Sequence, residues 1–164
     1  MTATLTQVSH EHHARLLGYI DTMPEIGDMI GNVPVAELRP RVEALIDFLD
    51  GLLIPHMEAS EQTLYPELER LLQNRHSMAT MRREHDEIRQ LVAGLVEMKA
   101  KMADGCHHTG DCVSLRRIIF RLYAMLKTHL AEEELYLGII QHDESEAEAE
   151  RLAAAMDHAG IAAF

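Results

Sequence analysis

Along most of the chain, apolar residues return at alternating steps of three and four, the mark of helices that bury one face. Four long segments carry this rhythm. Segment A, about 6–30, places His10, His13, Leu16, Leu17, Ile20 and Met23 together. Segment B, about 35–72, presents Leu45, Leu49, Leu52, His56, Ser60 and Thr63. Segment C starts after Ser77, read as an N-cap, runs to Ala103, and presents Met81, His85, Ile88, Val92, Leu95 and Met102. Segment D starts after Asp111, a second N-cap, and presents Leu115, Ile118, Leu122, Met125, His129, Glu133, Tyr136 and Ile140.

The breaks are few: GNVP at 31–34, QNRHS at 73–77 and DGCHHTGD at 104–111. Pro40 fits a helical first turn, whereas Pro24, Pro55 and Pro66 are expected to kink or shorten their helices. No stretch alternates as a strand would. The pattern predicts an all-α fold, an up-down-up-down four-helix bundle with its core at about 6–141. A short tail helix over about 145–158 packs outside it, and one domain spans residues 1–164.

Composition supports this picture. Apolar residues make up 47% of the chain and aromatic residues 4%, so the core must be built mainly from aliphatic side chains and Met. The formal charge of −12 argues against nucleic acid and anionic membrane surfaces as partners. No apolar run is long enough to cross a bilayer. The start, MTATLTQVSH, lacks the charged and apolar blocks of a signal peptide, so a cytoplasmic location is expected. Cys106 and Cys112 in DGCHHTGDC read as two thiols in a polar loop, the alternative being a small metal or redox site with His107 and His108.

The chain has eleven His residues, and four stand inside the apolar stripes: His13, His56, His85 and His129. His13 and His56 lie about 18 and 22 residues from the A–B break, and His85 and His129 about 19 and 18 from the C–D break. At ~1.5 Å per residue, all four fall roughly 27–33 Å from the same end of the bundle. One buried His is ordinarily a core residue with a backbone partner. Four in one layer would compete for partners in a dry core, each unpaired ring costing on the order of 1–3 kcal/mol. A cation satisfies them together, and imidazole suits iron, copper, zinc and nickel. Glu133 follows His129 by four residues, on the same helical face and in the stripe. The competing view of Glu132, Glu133 and Glu134 is a solvated acidic run. No Glu is followed three residues later by His, which disfavours a ferritin-like di-iron bundle.

The stretches HEHHARLL, PHMEASEQTLYPEL, REHDEIRQL and HLAEEELY resemble the hemerythrin-like, or HHE cation-binding, family over roughly residues 9–140. The resemblance implies His13, His56, His85 and His129 as iron ligands and Glu133 as a carboxylate bridging two irons, themselves joined by an oxo or hydroxo group. A single metal or zinc is the alternative. Two departures stand out. The carboxylate of segment B should fall at position 60, which is Ser60; Glu61 is taken as its substitute ligand, and Glu58 is a weaker candidate. Where oxygen-carrying hemerythrins resemble one another in a second His on segment C, this chain has Arg89. His10 is a candidate extra ligand, against a reading of His10 and His12 as an exposed helix start. His76, His107, His108, His142 and His158 read as surface residues, and Tyr65 and Tyr136 as caps of the bundle end, the alternative being a place near the metals.

Three functions are consistent with this site. The favoured one is a protein that binds or senses iron together with O2 or NO. The second is an iron enzyme acting on peroxide or NO, or an iron donor for iron–sulfur repair. The third is a structural bundle with a degraded or zinc-filled site. The partner is a small diatomic or peroxide ligand in the first two.

Overall fold

A computed structural model describes the backbone of residues 5–102 and 109–143 and the side chains of residues 11–102 and 110–138. Segment A forms α1 (Leu5–Ile20) and α2 (Met23–Met29) rather than one kinked helix. The break falls just before Pro24, which takes a first-turn position of α2 where its missing N–H is no loss.

Segment B is one continuous helical arm from Val35 to Leu71 in spite of its prolines. Its parts are α3 (Val35–Phe48), α4 (Ile54–Ala59) and α5 (Tyr65–Leu71), joined by π-helical turns at Leu49–Leu53 and Ser60–Leu64. Each π turn is closed by the N–H of the residue before a proline: Ile54 N–H reaches back to Leu49 O, and Tyr65 N–H to Ser60 O. Pro55 and Pro66 lack an N–H and would press on the carbonyl one α-turn back. The wider turn relieves that clash, so neither proline ends the arm.

The same turns move the inward face. A π turn holds more residues, so the next inward position arrives one residue later. Leu53 and Leu64 are fully buried, where Leu52 and Thr63 had been expected and are only half-buried.

α6 (Ala79–Lys101) and α7 (Thr109–Asp143) form the other two arms. Ser77 does not cap α6; Met78 holds the cap position and Ser77 Oγ donates to Asn74 O at 2.8 Å. α7 begins before Asp111, whose carboxylate lies in the first turn and favours the positive end of the helix. All predicted inward residues of segment C are buried. On α7, Leu115, Leu122, His129 and Glu133 are buried as expected, but at three positions the face is displaced by one residue: Ile119, Leu126 and Leu137 are buried, while Ile118, Met125 and Tyr136 are partly exposed. The displacement follows from packing, because α7 lies against α1 and α2 on one side and α6 on the other.

The arms close a ring in chain order, α1–α2 beside α3, α3 beside α6, α6 beside α7, and α7 beside α1–α2. No strand occurs among the described residues, and none of their helices is long and apolar enough to cross a membrane. The proposed tail helix, Cys106, His107 and His108 lie outside the described residues.

Two apolar clusters fill the ring. The larger includes Leu16, Leu53, Met57, Ile88 and Leu126; the smaller holds Ala59, Leu64, Tyr65, Leu68, Met78, Met81 and Leu137. Each fully buried Leu, Ile or Met contributes about 1.5–3 kcal/mol. Between the clusters lies the one polar layer among the described residues: His12, His13, His56, Ser60, His85, His129 and Glu133.

α2 approaches α7 closely at Gly27, where an added Cβ would lie 2.7 Å from Phe120 Cε2. Gly27→Val is therefore expected to lower unfolding free energy by roughly 1–3 kcal/mol through overpacking. Urea denaturation checks this, and metal content should not change.

Candidate metal centre

Each arm contributes to the polar layer from a helical stretch fixed by apolar neighbours one turn away. α1 brings His12 and His13, α4 brings His56, α6 brings His85, and α7 brings His129 and Glu133. Every one of these side chains is at most 2% exposed.

The layer has two halves. In the first, His13 Nε2 lies 3.2 Å and His56 Nε2 3.0 Å from Glu133 Oε2. These three side chains offer ligand atoms within 4.8 Å of one another, a set able to hold a metal ion. In the second, His85 Nε2 faces His129 Nε2 at 2.9 Å, and the Tyr65 hydroxyl lies 3.1 Å from the same His85 atom.

The outer nitrogens explain the inner ones. Nδ1 of His85 meets Glu61 Oε1 at 2.6 Å, Nδ1 of His129 meets Glu84 Oε2 at 2.9 Å, and Nδ1 of His13 meets Glu134 Oε1 at 2.6 Å. A carboxylate only accepts, so each of these rings donates through Nδ1–H. For neutral His85 and His129, that leaves a lone pair on each Nε2. Two lone pairs facing at 2.9 Å repel unless a proton or a cation lies between them. The donor set therefore fits a metal that prefers imidazole, and it does so on geometry alone. Glu133 Oε1 adds a buried carboxylate oxygen with no partner, and Ser60 Oγ a buried hydroxyl with none.

The titration of these groups follows from the same arrangement. Burial alone would raise Glu133, but His56 and His13 outweigh it and hold the carboxyl well below its usual range. Burial would lower His13, yet the bonds and charges of Glu133 and Glu134 raise it. Burial, helped by the His129 charge and opposed by Glu61, lowers His85 to about 4. His12 falls to about 3 through burial and the charges of His56 and His13. Burial and the charges of Glu133 and Glu61 push the Tyr65 hydroxyl far up, so it stays protonated as a donor.

The expected residues fare differently. His13, His56, His85, His129 and Glu133 come together in one layer. Glu61 does not join them: its carboxylate lies outside His85, where Arg89 Nη2 also donates to it at 2.9 Å. Helical spacing is the reason: Ser60, one α-turn after His56, keeps the inward position, and Glu61, the next residue round the arm, faces the flank. Glu58 is exposed, as is His76. His12 is buried, contrary to the exposed helix start expected of it, while the side chain of His10 lies outside those described. Tyr65 is no mere end cap; its hydroxyl belongs to the layer. Glu84 went unread in the sequence and Glu134 was read only as part of an acidic run, although each adjoins an inward residue, His85 or Glu133. Cys112 is a partly buried free thiol, and His142 falls within α7.

A family model described as the hemerythrin HHE cation binding domain matches residues 4–140. The chain belongs to the hemerythrin family. No curated protein and no solved structure matches it. Membership establishes a cation-binding domain, and the His and Glu layer is where this hemerythrin domain gathers its buried ligand atoms.

The shifts fix how the metal-free protein responds to pH. His13 is raised in the fold, so its contribution is complete below about pH 6.5 and is lost as pH rises through its folded value. His85 and His12 are depressed to about 4 and about 3, so the unfolded chain takes up their protons first as pH falls below 6.5. Stability of the metal-free protein should therefore peak near neutral pH and fall by a few kcal/mol between about pH 6.5 and 4. Urea titrations across that range check it; a flat profile would contradict the assignment of these rings.

Proposed function

We propose that this hemerythrin domain binds iron, as a pair of ions, and presents it to a small ligand such as O2 or NO. The observation that carries the reading is the convergence of Nε2 atoms from four arms beside one buried carboxylate. His13, His56 and Glu133 would hold one ion. His85 and His129, with the Tyr65 hydroxyl beside them, would hold a second. Bound ferrous iron would supply an open coordination position and a ready electron for a diatomic ligand.

The chain does the rest. Glu61, Glu84 and Glu134 orient their imidazoles and raise ligand basicity, the usual work of carboxylates behind metal-bound His. In this reading Glu61 is a positioning residue rather than a ligand. The apolar clusters on either side of the layer limit water and strengthen every charge interaction inside. Metal uptake displaces protons from the Nε2 atoms that otherwise face Glu133, so binding should weaken in acid. Tyr65 offers an inward hydroxyl hydrogen beside His85, with the Arg82 guanidinium 5.5 Å from its ring.

His129→Ala and Glu133→Ala are expected to abolish iron uptake by protein prepared without oxygen, measured by metal analysis. Retention of two irons in either variant would refute the reading. Absorption that changes reversibly with O2 or NO is the expected signature of the wild type; sustained turnover of peroxide would favour an enzyme instead. Glu61→Gln should keep both irons and lower affinity about 10–100-fold. Loss of one iron outright would return Glu61 to the ligand set.

A further inference from the structure

The outer partners of the imidazoles follow a rotation around the bundle. Glu61, on the arm of His56, serves His85 of α6. Glu84 of α6 serves His129 of α7. Glu134 of α7 serves His13 of α1. Each partner stands next in sequence to an inward residue of its own arm: Glu61 to Ser60, Glu84 to His85, Glu134 to Glu133. One step would close the circle, from α1 to His56. Its geometric occupant is His12, next to His13.

The unpaired atoms fall at that step. His56 Nδ1 has no partner, and neither nitrogen of His12 has one. The two rings lie with centroids 4.8 Å apart. That separation lies between those of His85 and His129, at 4.6 Å, and of Tyr65 and His85, at 5.4 Å, both of which are hydrogen-bonded pairs. Each polar atom left unpaired in such a place costs on the order of 1–3 kcal/mol.

We propose that His12 is the positioning residue for His56, accepting its Nδ1–H when Nε2 is given to a metal ion. The inference rests on the metal reading above. Chemistry explains why this partner is an imidazole. Without metal, a neutral His56 that donates through Nε2 to Glu133 Oε2 carries a lone pair on Nδ1. With metal on Nε2, the proton must sit on Nδ1. A carboxylate there could only accept and would repel the first form. A neutral imidazole has one N–H and one lone pair, and serves both. His12 thus lets His56 exchange tautomers as metal arrives and leaves, whereas the carboxylate-backed His85 and His129 are fixed in the ligand form. The half of the site made by His13, His56 and Glu133 is then the half through which metal is more readily lost.

The test uses zinc as a diamagnetic probe of the full chain. His12→Leu should weaken zinc binding about 10–100-fold by calorimetry, with metal-free stability unchanged or raised. His12→Gln, whose amide also donates and accepts, should recover most of the lost affinity. A His12→Leu protein that binds zinc as tightly as wild type would overturn the proposal, as would a folded His12→Gln protein no better than His12→Leu. Should the variants not fold, nitrogen NMR of zinc-loaded wild type decides: a protonated Nδ1 on His56 and a metal-free His12 are expected. Zinc on His12, or on Nδ1 of His56, would refute it. Wild type that takes up no zinc at all would instead sink the metal reading, and this inference with it.

Discussion

The bond from Nδ1–H of a buried imidazole to an outer carboxylate governs this molecule. It occurs at His13, His85 and His129, and at each it decides where the proton sits. With the proton held outside, the inner nitrogens of neutral His85 and His129 would confront each other as lone pairs. Such a layer has a standing electrostatic cost that a cation removes. The apolar clusters on both sides are what hold the rings there regardless, and they also prevent water from relieving the tension.

The fold serves this layer through an unusual arm. A regular α-helix over residues 35–71 would keep Leu49, His56, Ser60 and Leu64 on one face, but Pro55 and Pro66 would clash inside it. The π turns accommodate the prolines while that face stays inward. Glu61 lies on the flank of the arm and supports the next one.

The two halves of the layer differ in charge. Glu133 stands with His13 and His56, and its carboxyl is held ionised by them. His85 has the neutral Tyr65 hydroxyl beside it on the inside. With Ser60 where relatives of the resemblance would have a carboxylate, the inward set carries one negative charge among described residues rather than two. Less anionic charge stabilises highly charged metal states less. The outer carboxylates restore part of it at a distance through the rings they hold.

The sequence alone determined the helical arms, their turns and the depth of His13, His56, His85, His129 and Glu133. Those are local properties: a period of 3.6 and a count of residues from a break fix them without knowledge of any neighbour. It also held the motifs that resemble the family the chain belongs to. Other features were beyond it. That Leu53 rather than Leu52 points inward depends on a π turn that helical periodicity does not encode. That Glu61 reaches His85, Glu84 reaches His129 and Tyr65 reaches into the layer depends on how arms lie against each other. Spacing along one helix says which face a side chain occupies; only packing says whose nitrogen it meets there.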